Sequence, residues 1–353
     1  MNQSASAFVS TRPSVKVDGE LRNDLQEALL AMVINLPLHG SAHAELQFSN
    51  WGRREGERNP DYILSEIMLG AEVEVLMEDS ASGGSQSLFS GEITAIEENY
   101  GEGAPVIVLL LQDKLHHLAR SRRNRSFEDQ SPDDLVQNIA SEAGLQADAA
   151  ISSLTTTWHQ LNESDLAFLT RIGNRFEIGI RLEGNRVRAR AEEADPNPIP
   201  LNIQDSALKV RLITDLNHQP VVSQVNGYNL VSADAASFSA EAMTPAPVGT
   251  TAAATLNDLG WQGEEIVPQP FPGSNAEAEA YAKAAFRRQA KRFIQGEIMC
   301  QGEAGLKPGR EIELSDVSPR LRGTYQVVHC VHRFDNNTGF ETHLKVNKGG
   351  WQR

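Results

Sequence analysis

Cysteine is nearly absent: Cys300 and Cys330 are the only two in 353 residues. Two thiols cannot build the disulfide framework of a small secreted domain. They read as reduced core residues, with one bridge between them as the alternative. Long apolar runs are missing too. The longest stretches, such as Val106–Leu111, fall far short of the ~20 residues that span a bilayer. Met1–Ser6 holds neither a basic nor an apolar region, so no secretory signal is read and an exported outer-membrane barrel is not expected. Basic charge is in deficit, with 32 Lys and Arg against 47 Asp and Glu and a formal net charge of −15. That balance argues against gripping nucleic acid through its phosphates or lying on an anionic membrane, while leaving room for a local basic patch. Aromatics, at 6%, are too few to suggest the exposed platforms of a carbohydrate-binding module. What remains is an acidic chain of globular composition, long enough for about two domains.

Its first ~120 residues carry strand patterns. Ala28–Pro37 is a largely apolar run, and Ala44–Phe48 and Ala71–Met77 alternate with period two. Ser80–Ser85 has the composition of a hairpin tip, followed by strands over Leu88–Ile96 and Val106–Leu111. The texture changes near Arg120. Ser131-Pro132-Asp133-Asp134 combines an N-cap serine, proline at the first helical position and acids at the positive end of the dipole. That helix uses Leu135, Val136 and Ile139 and stops near Gly144. Asn162-Glu163-Ser164-Asp165 opens a second helix, with Leu166, Leu169, Thr170 and Gly173 on one face. Strands over Phe176–Leu182 and Arg186–Ala191 flank a Glu183-Gly184-Asn185 turn.

Strand texture resumes at Leu208–Thr214 and Val221–Tyr228. Residues 232–273 are rich in Ala, Ser, Thr, Pro and Gly and read as a long loop or arm. Ser274 and Glu277 form a capping box that launches a helix over 275–293. Strands over Gly296–Gln301, Arg310–Leu314, Thr324–Phe334 and Gly339–Val346 finish the chain. The fold class is therefore mainly β with an α+β insertion, and the two β parts are similar enough in size to be two copies of one barrel.

Catalytic and metal patterns are weak. His329 and His332 are three apart, so on one strand they face opposite sides, and at most two imidazoles share a face with His343. A zinc site usually needs three or four ligands. His116 and His117 are adjacent and expected to diverge. There is no G-x-S-x-G elbow and no Walker motif, and Gly101-Glu102-Gly103 lacks the third glycine of a dinucleotide fingerprint, Val106 standing in its place. Glu163 and Asp165 are explained as helix-start acids more simply than as a catalytic pair. Arg120, Arg122, Arg123 and Arg125 form the one dense basic cluster. It lacks the aromatic interleaving of a nucleic-acid groove, leaving pairing with acids of a neighbouring subunit or a solvated domain edge. The cations at the end of the last helix read the same way. No catalytic residue, cofactor-binding residue or metal ligand is assigned.

Two stretches nonetheless form a specific pattern. Trp158–Ile172 resembles the signature Q-x-N-E-S-D-x-x-F-L-x-R followed by an apolar residue, matched here by Asn162, Glu163, Ser164, Asp165, Phe168, Leu169 and Arg171. This is the signature of the phage late control D proteins and of the N-terminal half of the valine-glycine repeat spike proteins of type VI secretion. Pro308, Gly309, Gly323, Tyr325, His332, Gly339 and Thr342 are similarly placed to that family's closing run. The resemblance covers roughly residues 10 to 348. Phe176–Ile180 carries fewer aromatics than the family's spikes have there.

What the resemblance implies is a non-enzymatic tail hub. Two tube-type β-barrels, at 10–120 and 201–348, would flank an α+β insertion at 121–200, and three chains would form a pseudo-sixfold ring. Such a ring adapts a hexameric tail tube to a trimeric spike. The implied partners are two further copies of the chain, the spike, the tube or its initiator, baseplate wedge components and a tape-measure protein. DNA or an effector would be passing cargo only, with no membrane insertion. The chain ends soon after its last strand, so the spike is expected to be a separate polypeptide. The protein would be made in the bacterial cytoplasm and built into the baseplate of a phage tail or of a non-virion injection device. A carboxylate-lined channel would repel an acidic passenger. The alternative from another class is a cell-wall hydrolase carried at the tail tip.

Overall fold

The computed structural model describes residues 12–53, 58–78, 84–101, 103–204 and 206–352. Six α-helices lie among them: α1 (Asn23–Ala28), α2 (His116–Ala119), α3 (Pro132–Glu142), α4 (Asp165–Arg175), α5 (Ala252–Leu259) and α6 (Asn275–Ala290). Apart from a single 3-10 turn at Pro319–Leu321, the rest of the regular structure is strand, so the chain is mainly β. No helix among the described residues is long and apolar enough to cross a membrane.

One 13-stranded sheet runs through both ends of the sequence. Its centre is Leu29–Pro37, which pairs antiparallel with His43–Ser49 on one side and with Gly323–Asp335 on the other. Ile34 thus faces Ala44 in one neighbour and His332 in the other. From there the order runs outward through Val106–Gln112, Ser85–Asn99, Glu72–Glu78, Ser14–Val17 and Glu20–Leu21. The other direction runs through Gly339–Lys348, Ile294–Gln301 and Ala207–Thr214, with Glu311–Leu314 and Ile199–Leu201 branching from Gly323–Asp335. The described strands leave this sheet open at both ends.

Period-two patterning explains the strands. In His43–Ser49, Ala44, Leu46 and Phe48 are buried while the residues between them are not. They join Met32, Ile34, Val75 and Leu109 in one core beneath the N-terminal half. A second core, with Ile294, Ile298, Ile312, Tyr325 and Leu344, lies under the C-terminal half.

The third core belongs to the insertion. Arg122–Gln130 pairs antiparallel with Thr156–Ser164, and Gln146–Ala150 runs parallel to Arg186–Arg190, which pairs with Arg181–Glu183. Ser131 caps α3 in a complete capping box with Asp134, and Ser164 caps α4 by accepting from the Ala167 amide at 3.2 Å. Their apolar stripes, including Leu135, Ile139, Phe168 and Ile172, pack with Val225, Ala236, Tyr281 and Phe286 from beyond residue 220.

Several sequence expectations are corrected here. Residues 232–273 are not one long loop. Asp234–Ala240 pairs with Val222–Asn229, Thr251 caps α5, and Glu264–Val267 runs parallel to Val222–Asn229. The strand was hidden because its buried residues include the small Ala236 and Ala240; small side chains let it lie close to α6 but give little hydrophobic alternation. The strand expected over Phe176–Leu182 begins only at Arg181. Before it the chain closes α4, the Ile178 amide donating to Gly173 O at 2.9 Å. Helix α6 ends at Ala290 rather than 293, and Phe293 turns into the C-terminal core. The expected hairpin tip at Ser80–Ser85 lies largely outside the described residues, but the strands flanking it do pair.

Candidate functional site

The signature residues converge on a polar cluster between a strand and a helix. Ser164 ends the Thr156–Ser164 strand and caps α4, which puts Asp165 at the first helical position and buries it. Asp165 Oδ1 accepts from Arg125 at 2.7 Å and from Gln160 Nε2 at 2.8 Å. Gln160 is fully buried; its Oε1 accepts from Arg125 Nε at 2.7 Å, and its amide also donates to Glu163 O at 3.0 Å. Glu163 takes Arg171 in a two-pronged bridge at 2.6 and 3.1 Å, and Arg171 also donates to His159 O at 2.8 Å. Asn162 sits at a bulge with φ +50°; its amide donates to Asn124 Oδ1 and its carbonyl accepts from Arg122. Phe168 stacks on Phe127 with ring centroids 5.5 Å apart, and Leu169 is fully buried beside it.

The arginine cluster is thereby explained differently from either sequence reading. Arg123 and Arg125 alternate with Phe127 on one face of a strand, and that face meets acids of the same chain. Both arginines reach Glu142 of α3, at 2.9 and 2.8 Å, and Arg125 reaches Asp165. Hydrogen bonds from Arg125, and then from Arg123, hold the Glu142 carboxyl below the usual carboxylate range against the opposing cost of burial. Asp165 is a first-turn acid of α4 as expected and an arginine partner besides, while Glu163 lies before the Ser164 cap and serves Arg171. The period-two spacing of Arg123, Arg125 and Phe127 was the signal available; it was outweighed by the strand's high charge. The cations ending α6 also turn inward, Arg287 bonding Glu177 Oε2 and Phe176 O at 2.6 Å.

The closing run builds a second buried polar group. His332 faces Thr342 across the Gly323–Asp335 and Gly339–Lys348 ladder. Its Nδ1 lies 3.0 Å from Thr342 Oγ1 and its Nε2 3.1 Å from Leu306 O. A carbonyl only accepts, so Nε2 carries the proton and Nδ1 accepts from the threonine hydroxyl. Burial lowers the imidazole pKa to about 4, keeping it neutral. Tyr325, also fully buried, donates its hydroxyl to Leu321 O at 2.6 Å. Gly339 closes the last hairpin at φ +77°, and Gly323 opens its strand at φ +112°.

Pro308 is buried beside Gly309, whose φ is +87°. The Gly309 amide donates to Val327 O at 2.9 Å. Its α-carbon lies against an ion pair that the sequence did not reveal. Arg181 grips Glu192 at 2.5 and 3.1 Å, and each side chain is less than a tenth exposed. Burial opposes the charge on Glu192, yet hydrogen bonds from Arg181 and Arg188 outweigh it and hold its carboxyl below the ordinary range.

An open cleft of about 710 Å³ lies between the insertion, the end of α6 and the C-terminal sheet. Its carboxylates Glu177, Glu192 and Glu297 each face arginine. His329 faces Lys345 and His343 faces Val331 across the last hairpin. His116 and His117 do not diverge. They sit on the single turn of α2, their rings 4.0 Å apart, and both approach Glu92.

The phage tail baseplate hub (GPD) family matches residues 53–338, well over half of the sequence, which takes in the whole Trp158–Ile172 signature and the closing run as far as His332. The chain belongs to the phage tail baseplate hub family. A structural hub function follows for this hub protein, and the tail-tip hydrolase reading is not favoured. Solved structures agree on the fold. The hub is similar to the 43 kDa tail protein of prophage MuSo2 from Shewanella oneidensis, with a TM-score of 0.71 and 11% identity over 96% of this chain and 98% of that one. A tail protein from Neisseria meningitidis MC58 gives 0.69 and 12%, covering 96% of each. An E. coli type VI secretion component, itself similar to the T4 tail proteins gp27 and gp5, gives 0.60 and 13% over 95% of this chain and 76% of that one. A search among curated proteins finds no match.

Proposed function

We propose that this hub works as a homotrimer whose pseudo-sixfold ring adapts a hexameric tail tube to a trimeric spike. Each half of the sheet would supply one tube-type barrel, with Leu29–Pro37 as the strand they share. The supporting observation is the hub-family match, which reaches into both β regions, in a chain whose two β regions are knit into one sheet. Two regions that share strands keep a fixed relative orientation, which a ring of alternating halves requires. The role is geometric and non-enzymatic. Its partners are a spike, the tube or its initiator, baseplate wedge components and a tape-measure protein, with DNA or an effector passing through. Synthesis in the bacterial cytoplasm precedes incorporation into the tail particle. In this reading the signature residues are structural: they clamp the insertion so that it presents a constant surface during assembly.

Light scattering over a range of concentrations tests the proposal. The expected species has three times the 38.6 kDa chain mass. A monomer at every concentration, and again after co-expression with the spike, would overturn it.

A further inference from the structure

The geometry points to a divalent transition-metal site, of the kind that takes zinc, formed by Glu92, His116 and His117. Nε2 of His116 and Nε2 of His117 lie 3.0 and 2.9 Å from the same Glu92 Oε2, and one ligand atom from each residue falls within 4.8 Å of the others. A tetrahedral zinc ion with bonds of about 2.0–2.1 Å separates its ligand atoms by roughly 3.3 Å. The two histidine–Glu92 separations need only open by tenths of an ångström to admit it, and the two imidazole donors lie within 4.8 Å of each other. Two imidazoles and one carboxylate are a borderline donor set suited to zinc and its neighbours rather than to magnesium or calcium.

Charge gives a second reason. Among the described residues no lysine or arginine bridges to Glu92. The nearby Lys114 is engaged with Glu72 at 2.6 Å. Glu92 thus has the two imidazoles as its direct side-chain partners, and a bound cation would add to the charge that Lys114 offers it from a distance. The backbone beneath the pair is firm. Asp113, buried, accepts from Ser41 Oγ, the Ala42 amide and the Leu115 amide. Leu115 and Leu118 anchor the same turn in the insertion core. His117 is nearly half exposed, which leaves an entry path and an open coordination position for water. Glu92 belongs to the N-terminal sheet, paired with Glu72 and Gln112. A bound ion would therefore pin α2, which packs into the insertion core, to that sheet.

The experiment uses the untagged full-length chain, titrated calorimetrically with zinc chloride after chelator treatment, beside His117→Ala and Glu92→Gln. His117 is exposed, so its variant should fold as the parent does, checked by its metal-free melting temperature. The expected result is one saturable zinc per chain, weakened by roughly 10- to 100-fold or more in either variant. Zinc should raise the melting temperature of the parent and not of His117→Ala. Cobalt should give visible absorption bands that His117→Ala loses. Absence of saturable binding overturns the inference, as does binding that both variants retain unchanged.

Discussion

Asp165 Oδ1 accepts the Arg125 guanidinium at 2.7 Å, tying the first position of α4 to a strand 40 residues earlier in the chain. The Asp165 side chain is 8% exposed and that of Arg125 21%. Asp165→Asn keeps the volume and removes the charge, leaving Arg125 partly buried with Glu142 as its one carboxylate partner and Gln160 as its amide partner. Losing one partner of a buried pair costs about 3–5 kcal/mol, and the residual Glu142 contact places this variant near the lower end. The Glu163–Arg171 bridge has comparable geometry but a more exposed arginine, at 38%, so Glu163→Gln should cost about 1 kcal/mol or less. Urea unfolding of the two variants checks the order, and equal losses would contradict it.

His332 gives a pH dependence with a definite sign. Its pKa falls from 6.5 in the unfolded chain to about 4 in the folded one. Between those values the unfolded chain binds the extra proton. The His332 contribution to stability is therefore complete above pH 6.5 and is lost as pH falls toward 4, by up to about 3 kcal/mol. His332→Gln can still donate to Leu306 O and accept from Thr342, without titrating. The stability difference between parent and variant should shift against the parent by that amount from pH 7 to pH 4. A difference that stays constant across the range would count against a buried neutral imidazole.

Helix capping offers a local test. Ser131 accepts from the Asp134 amide at 3.2 Å, while Asp134 accepts from the Ser131 amide at 2.9 Å. At α6 the second half is displaced: Glu277 accepts from Gly273 at 2.7 Å rather than from Ser274. Ser131→Ala and Ser274→Ala should each lose about 1 kcal/mol. Asp134→Ala should lose a further hydrogen bond that joins the α3 start to the chain before it, and thermal melts would rank the three.

The caps, the apolar strands and the last hairpin were legible in the sequence because each is fixed within a few residues. Ser131-Pro132 sets its own helix start, and Asp335–Gly339 sets its own register. The signature was legible as a pattern, but its chemistry was not. The partners of Asp165 and Glu142 come from a strand so rich in arginine that its charge masked its period-two face. The Arg181–Glu192 pair was invisible because Gly309, which closes over it, lies more than a hundred positions away. Adjacent histidines diverge on an extended strand; on the single turn of α2 His116 and His117 converge, and four residues are too few for periodicity to reveal a helix. The strand Asp234–Ala240 was hidden by small residues whose role is close approach.

Gly309 carries the last prediction. Its φ of +87° disfavours any side chain, and a Cβ there would lie 2.5 Å from Glu192 Oε2 and 2.8 Å from an Arg181 guanidinium nitrogen. Gly323 is a matched control: its φ is +112°, but its Cβ would meet the flexible ends of Lys348, at 3.0 Å, and Gln352, at 4.0 Å. Both Gly→Ala changes incur backbone strain of about 1–3 kcal/mol. Gly309→Ala must in addition displace a bidentate pair buried on both sides, a disturbance of the class that costs about 3–5 kcal/mol when such a pair is broken. Gly309→Ala should therefore be the more destabilising by at least about 2 kcal/mol. Because the pair belongs to the insertion and Gly309 to the turn before the Glu311–Leu314 strand, hydrogen exchange near Arg181–Glu183 should accelerate only in Gly309→Ala. Equal losses in the two variants, with unchanged exchange, would mean that backbone strain alone sets the cost at Gly309.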